Sequence, residues 1–185
     1  YDSNLCQIPS NEVQDRKDEV IEYYKEKGEQ LGKLMIKEYP TGTATVQTLR
    51  SHIEKLSLKG FIPQVLIIDY ADIMRSSRQY DSMRHELKKV YEDLRNLAME
   101  KSMPIWTASQ SNRDSANSDI VGLENMSESY GKAQVADVVI SISRKPAEKS
   151  EGFGRLYIAK NRAGRDGIVF PIKLNTAMSR FSILE

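Results

Sequence analysis

A chain of 185 residues, 39% hydrophobic and 29% charged, has the composition of one soluble globular domain with a real core. A single cysteine (Cys6) excludes an internal disulfide, and two histidines leave no zinc set. No apolar run approaches the roughly 18 residues of a membrane span and no basic-then-apolar leader opens the chain, so the expected location is cytoplasmic. A net charge of +1 rules out a polybasic nucleic-acid binder, leaving local patches: Arg75 with Arg78, and Lys160, Arg162 and Arg165.

In chain order, Asn11 is a candidate N-cap for a charged helix reaching about Gly32, with Val13, Val20, Ile21 and Tyr24 as a thin apolar stripe. Leu34–Tyr39 reads as a short strand closed by Pro40-Thr41-Gly42. Thr45–Leu58 gives a helix, with Val46, Leu49, Ile53 and Leu56 at helical spacing and Gly60 as its stop. Val65–Ile68 is a continuous apolar run, the pattern of a strand buried on both faces. The clearest helix spans about Gln79–Lys101, with Met83, Leu87, Val90, Leu94 and Leu97 on one face. Pro104–Ser109 predicts a second buried strand, Ser111–Glu124 a polar loop, and Ser127–Ala136 a short helix leading into a strand at Asp137–Ser143. The tail, Gly154–Lys160, Ile168–Leu174 and Arg180–Leu184, reads as antiparallel strands joined by turns.

Strands alternating with helices predict an α/β fold: a mostly parallel sheet flanked by helices, ending in an antiparallel β-meander. Ligands in such sheets bind beyond the C-terminal strand ends, which directs attention to the residue after each apolar run. Asp69 follows Val65–Ile68, as does an acid that holds Mg²⁺ for a nucleotide-hydrolysing motor; the bland reading is an acid ending a strand. Ser109 and Gln110 end the next strand, where an amide or hydroxyl can sense a γ-phosphate or simply make a turn. Lys160 and Arg162 alternate about Asn161, so both project to one side about 7 Å apart, a pair suited to phosphate, a neighbouring subunit's nucleotide or DNA backbone. A phosphate cradle needs Gly, four residues, then Gly-Lys-Ser/Thr; Gly28–Leu34 is one residue short with Leu where the hydroxyl belongs, and Gly131-Lys132-Ala133 fails at both ends.

Together these pieces resemble the RecA-like motor domain of DnaB-like replicative helicases, closest to the phage type. The resemblance rests on VLIIDYADIM (Val65–Met74), WTASQSNR (Trp106–Arg113), ESYGKAQVAD (Glu128–Asp137), the Lys160-x-Arg162-x-Gly164 turn and Ser179-Arg180-Phe181. Tyr39–Leu58 adds the likeness to tailed-phage helicases, and the whole covers the chain from about Leu34 onward. It implies one RecA-like domain over residues 1–185, without its N-terminal P-loop part. It further implies ATP and Mg²⁺ as cofactors, Asp69 as the Walker B acid holding Mg²⁺ through water, and Gln110, beside Ser109, coupling γ-phosphate state to the DNA-binding loops. Arg162 becomes an arginine finger for the adjacent subunit's ATP, with Lys160 assisting. Arg113, Ser127 and Lys132 become the candidate contacts to single-stranded DNA in the channel-lining loop, which also carries Asp119, Glu124 and Glu128. The implied partners are single-stranded DNA, five further copies in a homo-hexamer, a primase and a helicase loader, inside a bacterial host cell and away from membranes. The 185 residues alone are expected to hydrolyse little or no ATP. Other readings stay open: another RecA-like ATPase of recombinase or clock type, a P-loop-less adaptor module, or a structural domain with no nucleotide.

Overall fold

The computed structural model describes the chain apart from Tyr1, Gln79, Asp81, residues 113–117 and 126–129, Glu185 and the side chain of Tyr130. Its helices follow local chemistry closely. Helix α3 (Val46–Leu58) starts where Thr45 predicts it, through a reciprocal cap in which Thr45 Oγ1 accepts from the Thr48 amide and Thr48 Oγ1 accepts from the Thr45 amide, both at 3.2 Å. This satisfies amides that the first helical turn leaves unpaired. Gly60, at φ +80°, lies just past its end in the left-handed region that glycine adopts without strain. Helix α4 (Met83–Glu100) is capped by Ser82 Oγ and buries Leu87, Val90, Leu94 and Leu97 along one stripe. Tyr91 joins that stripe, placing a hydroxyl inside an otherwise apolar surface.

The amino-terminal helix is shorter than its charge pattern suggests. Residues 10–16 form turns, α2 covers Lys17–Lys27, and a 3-10 turn Gly28–Gln30 follows. Asn11 is therefore not its N-cap; Arg16 holds that position without a side-chain cap bond. A further short helix, α1 (Asp2–Cys6), anchors this end: Ser3 Oγ donates to Ile8 O at 2.6 Å, and the Ser10 amide donates to Ala177 O at 2.7 Å. Leu34–Tyr39 is no strand. Among the described residues it has no ladder partner, and Ile36 is 72% exposed.

The strands form two sheets. β1 (Leu66–Ile68) and β2 (Ile105–Thr107) pair in parallel, Leu66 opposite Ile105 and Ile68 opposite Thr107. β3 (Val138–Ser143), β4 (Phe153–Asn161), β5 (Ile168–Asn175) and β6 (Arg180–Ile183) form an antiparallel meander in that order. The mixed α/β class and the terminal meander are as expected, but β3 opens the meander rather than extending the parallel pair. The expectation that β1 and β2 are buried on both faces is corrected. Leu66, Ile68 and Ile105 pack with Val46, Ile53, Val90, Leu94, Leu97 and Met103 beneath α3 and α4. On the opposite face Ile67 is 74% and Trp106 55% exposed, because no described element covers them. The apolar run encodes burial potential for both faces, and the helices supply a cover for one.

The meander is pinned by an ionic cluster at the β3–β4 end. Arg155 holds Glu148 through two bonds of 2.6 and 2.9 Å, Lys145 donates its amide to Glu148, and Asp119 meets Lys145 and Arg155. Arg155 first, then the Lys145 amide, holds the Glu148 carboxyl down at about 2 against an ordinary 4.5. A depressed carboxyl contributes stability that is complete above pH 4.5 and lost as pH falls towards 2. Glu148→Gln is thus expected to flatten the pH dependence of thermal unfolding across that window. An unchanged acid limb in the variant would show that the cluster is electrostatically idle.

Candidate functional site at the strand ends

Parallel pairing of β1 and β2 brings their C-terminal ends side by side. Thr107 Oγ1 locks the two: it accepts from the Ala71 amide at 2.9 Å and donates to Ile68 O at 3.1 Å. Asp69 follows β1 directly and is exposed, and Gln110, also exposed, lies three residues beyond the end of the ladder at Thr107. Ser109, between ladder and Gln110, is half-buried. An exposed carboxylate and an exposed amide therefore follow neighbouring strand ends, in the position from which open α/β sheets address ligands.

Beneath that edge lies a polar node that no sequence pattern announced. The 3-10 turn Ala71–Ile73 follows Asp69 and carries Asp72 inward. Asp72 Oδ2 accepts from Ser109 Oγ and from Lys132 Nζ, each at 2.9 Å, and Asp72 Oδ1 accepts from the Tyr91 hydroxyl at 2.8 Å. Lys132 Nζ also donates to Ser109 Oγ at 2.9 Å and lies 5.9 Å from the centre of the Tyr91 ring. Burial, then the Asp72 charge, pushes the Tyr91 hydroxyl well above its ordinary range, so it stays a donor. Lys132 is completely buried. The expectation that it grips DNA is corrected: its ammonium is spent inside the protein, where an unpaired charge would be prohibitive.

Lys132 belongs to α5 (Tyr130–Val135), and the other predicted cations lie at the far end of that helix. Lys160 Nζ donates to Ala133 O at 2.8 Å and to Gln134 O at 3.0 Å, satisfying carbonyls that a helix end leaves open. Burial, then the Arg162 charge, lowers the Lys160 pKa. Arg162 also reaches Gln134 O, at 3.4 Å, as projection to one side requires, and pairs with Asp137 at 3.1 Å. Arg95 of α4 shares Asp137 at 3.0 Å. Lys160 is thus engaged in capping, whereas the Arg162 side chain remains 45% exposed. The sequence-predicted residues fall into two groups separated by α5: Asp69, Ser109 and Gln110 on one side, Lys160 and Arg162 on the other, with no hydrogen bond or ion pair between the two groups among the described residues. Arg113 and Ser127 lie outside the described residues.

A cleft of about 910 Å³ opens between the two sheets, lined by Trp106 and Gln110 of the β2 segment, by Arg95 and Val135, and by Val138 and Ile140 of β3. β2 and β3 each have one edge without a strand partner among the described residues. No group of three or more metal-ligating side chains exists among the described residues. A single exposed carboxylate such as Asp69 nevertheless fits Mg²⁺, which keeps several waters and takes most other oxygens from nucleotide phosphates. A glycine cradle for those phosphates is not in these 185 residues; Gly28–Gln30 is a 3-10 turn.

Comparison with known proteins places this arrangement. The family model described as the DnaB-like helicase C-terminal domain matches residues 3–182. A DnaB-like replicative helicase of Enterobacteria phage T4 is 32% identical over 151 residues, 76% of this chain and 32% of that protein. A replicative DNA helicase DnaB of Leifsonia xyli is 31% identical over 126 residues, 65% of this chain and 27% of that protein. The chain thus spans about a third or less of the length of these relatives. Among solved structures, the ATPase domain of G40P superposes over 100% of this chain and 68% of its own, with a TM-score of 0.81 at 19% identity. A DnaB-like replicative helicase, solved in a study of its interactions with primase, gives 0.81 at 17% identity, over 100% of this chain and 47% of its own. No helix among the described residues is long and apolar enough to cross a membrane. With a family model matched almost end to end, this chain belongs to the DnaB-like helicase C-terminal domain family.

Proposed function

We propose that these residues form the C-terminal part of an ATP-driven replicative helicase motor that moves on single-stranded DNA as a homo-hexameric ring and unwinds duplex DNA. The observation that supports this reading is the parallel pairing of β1 and β2, after which Asp69 follows one strand and Ser109 and Gln110 follow the other, the latter two lining an open cleft. Asp69 holds Mg²⁺ through water, and the ion neutralises charge on the transferring phosphate. Gln110 reads the γ-phosphate, while the Ser109 hydroxyl beside it is tied to Asp72 and Lys132 and holds the strand tip. Arg162, exposed on the other side of α5, serves a neighbouring subunit's nucleotide, and Lys160 holds the turn that presents it. A primase and a helicase loader complete the partner set, the former by analogy with the solved relative described above.

The cleft between β2 and β3 receives further strand structure from the rest of the motor, and the phosphate cradle comes with it. The 185 residues alone therefore hydrolyse little ATP. The test uses the complete helicase polypeptide: Asp69→Ala is expected to lower DNA-stimulated ATP hydrolysis and unwinding together, by about 10²–10³-fold. Undiminished hydrolysis in that variant would rule out Asp69 as the magnesium acid and return the fold to the adaptor reading.

A further inference from the structure

The inner end of the candidate site and the Lys160–Arg162 turn are joined through a single short helix. Lys132 ties α5 to Asp72 and Ser109 at 2.9 Å each, and the next two residues, Ala133 and Gln134, receive Lys160 at 2.8 and 3.0 Å. The two anchorages are consecutive in sequence, within one turn of about 5.4 Å. Little slack exists between them, because each is made by charged donors on short bonds rather than by apolar contacts that slide.

The chemistry of the inner anchorage is costly to maintain. A buried ion pair contributes little net stability over a well-packed apolar pair, and its best-attested use is to specify one arrangement. Here every oxygen of Asp72 is committed, one to Tyr91 and the other to Ser109 and Lys132, so the carboxylate fixes three elements at once: α4, the tip of β2 and α5. Ser109 immediately precedes Gln110, and Asp72 follows Asp69 by one 3-10 turn. A shift of either strand tip therefore moves Lys132, and with it the carbonyls that hold Lys160 and Arg162.

We propose that Asp72 and Lys132 are positioning residues that lock α5 between the Asp69–Gln110 edge and the Lys160–Arg162 turn, so that a change at a subunit's own nucleotide edge is carried to the arginine it offers its neighbour. This rests on the motor reading given above. Neither residue touches nucleotide or DNA; both act through α5.

The test uses the complete helicase carrying Lys132→Met, Asp72→Asn or both, with DNA-stimulated ATP turnover and thermal unfolding followed on the same preparations. The double variant leaves no unpaired charge inside, so its unfolding midpoint stays near that of the wild type. Its maximal DNA-stimulated rate is expected to fall about 10²-fold, the usual cost of misplacing catalytic groups by an ångström, with the half-saturating DNA concentration unchanged. Tyr91→Phe keeps the ring and removes one hold on Asp72, and gives the same split at smaller size should the double variant unfold. Retention of the full rate in these variants overturns the proposal and leaves the pair a packing role. A raised half-saturating DNA concentration at unchanged maximal rate overturns it as well, by making Lys132 a DNA contact. A wild-type turnover indifferent to Asp69→Ala defeats the motor reading itself and this inference with it, so the two failures are told apart.

Discussion

Arg162→Ala in the complete helicase is expected to lower ATP turnover by about 10³–10⁵-fold, the range that a phosphate-clamping arginine contributes when supplied by a neighbour. The structure makes this residue available for such a role. Its backbone is held by the amide bond to Asp137 O at 2.9 Å, while its guanidinium meets the Asp137 carboxylate at the surface, 45% exposed. A surface ion pair of that kind is worth about 0–1 kcal/mol, so little opposes transfer of the guanidinium to a phosphate. Arg95 remains on Asp137 at 3.0 Å, so the carboxylate is not left without a partner when Arg162 departs. If the proposed action in trans holds, mixing Arg162→Ala subunits with Asp69→Ala subunits is expected to restore part of the turnover that each loses alone. Full activity of Arg162→Ala rings would remove Arg162 from the chemistry altogether.

The largest effect on stability is expected at Lys132. Lys132→Met fills a similar volume but leaves the Asp72 carboxylate, only 16% exposed, with two neutral donors and no cation. Breaking a buried pair by deleting one partner costs about 3–5 kcal/mol, and at about 2–4 °C per kcal/mol for a domain of this size the unfolding midpoint falls by roughly 10 °C. Adding Asp72→Asn is expected to recover most of that loss, since the amide oxygen still accepts from the Tyr91 hydroxyl while its NH2 donates to Ser109 Oγ. Calorimetry on the 185-residue chain reads both. A single variant as stable as the wild type would mean that water reaches the node and solvates the charge.

Some of this was legible in the residues themselves. Thr45, Gly60 and the stripe from Leu87 to Leu97 specify α3 and α4 through caps and helical period, which are local properties. The meander strands followed from short runs separated by turns, and their observed bounds differ from the expected ones by one residue at most ends. A topological rule that needs only the end of an apolar run points to Asp69 and Ser109–Gln110, and the structure pairs the two strands they follow in parallel. Leu34–Tyr39 failed because a strand requires a partner, and a partner is a property of the whole sheet.

Lys132 shows where local reading stops. A lysine after Gly131, in a polar stretch, has the pattern of a surface cation; only folding places it 2.9 Å from Asp72, sixty residues away in sequence. Asp72 and Tyr91 were not singled out for the same reason. Asp72 follows a strand in a short turn and Tyr91 lies on an apolar stripe, and neither carries a signal of its partner. The sequence by itself determined α3, α4, the meander strands and the family, since caps, periodicity and motif order are written within short stretches of chain. Only the tertiary structure decided which cations are buried, which cap a helix and which stay at the surface, because desolvation and pairing depend on neighbours that distant segments bring together.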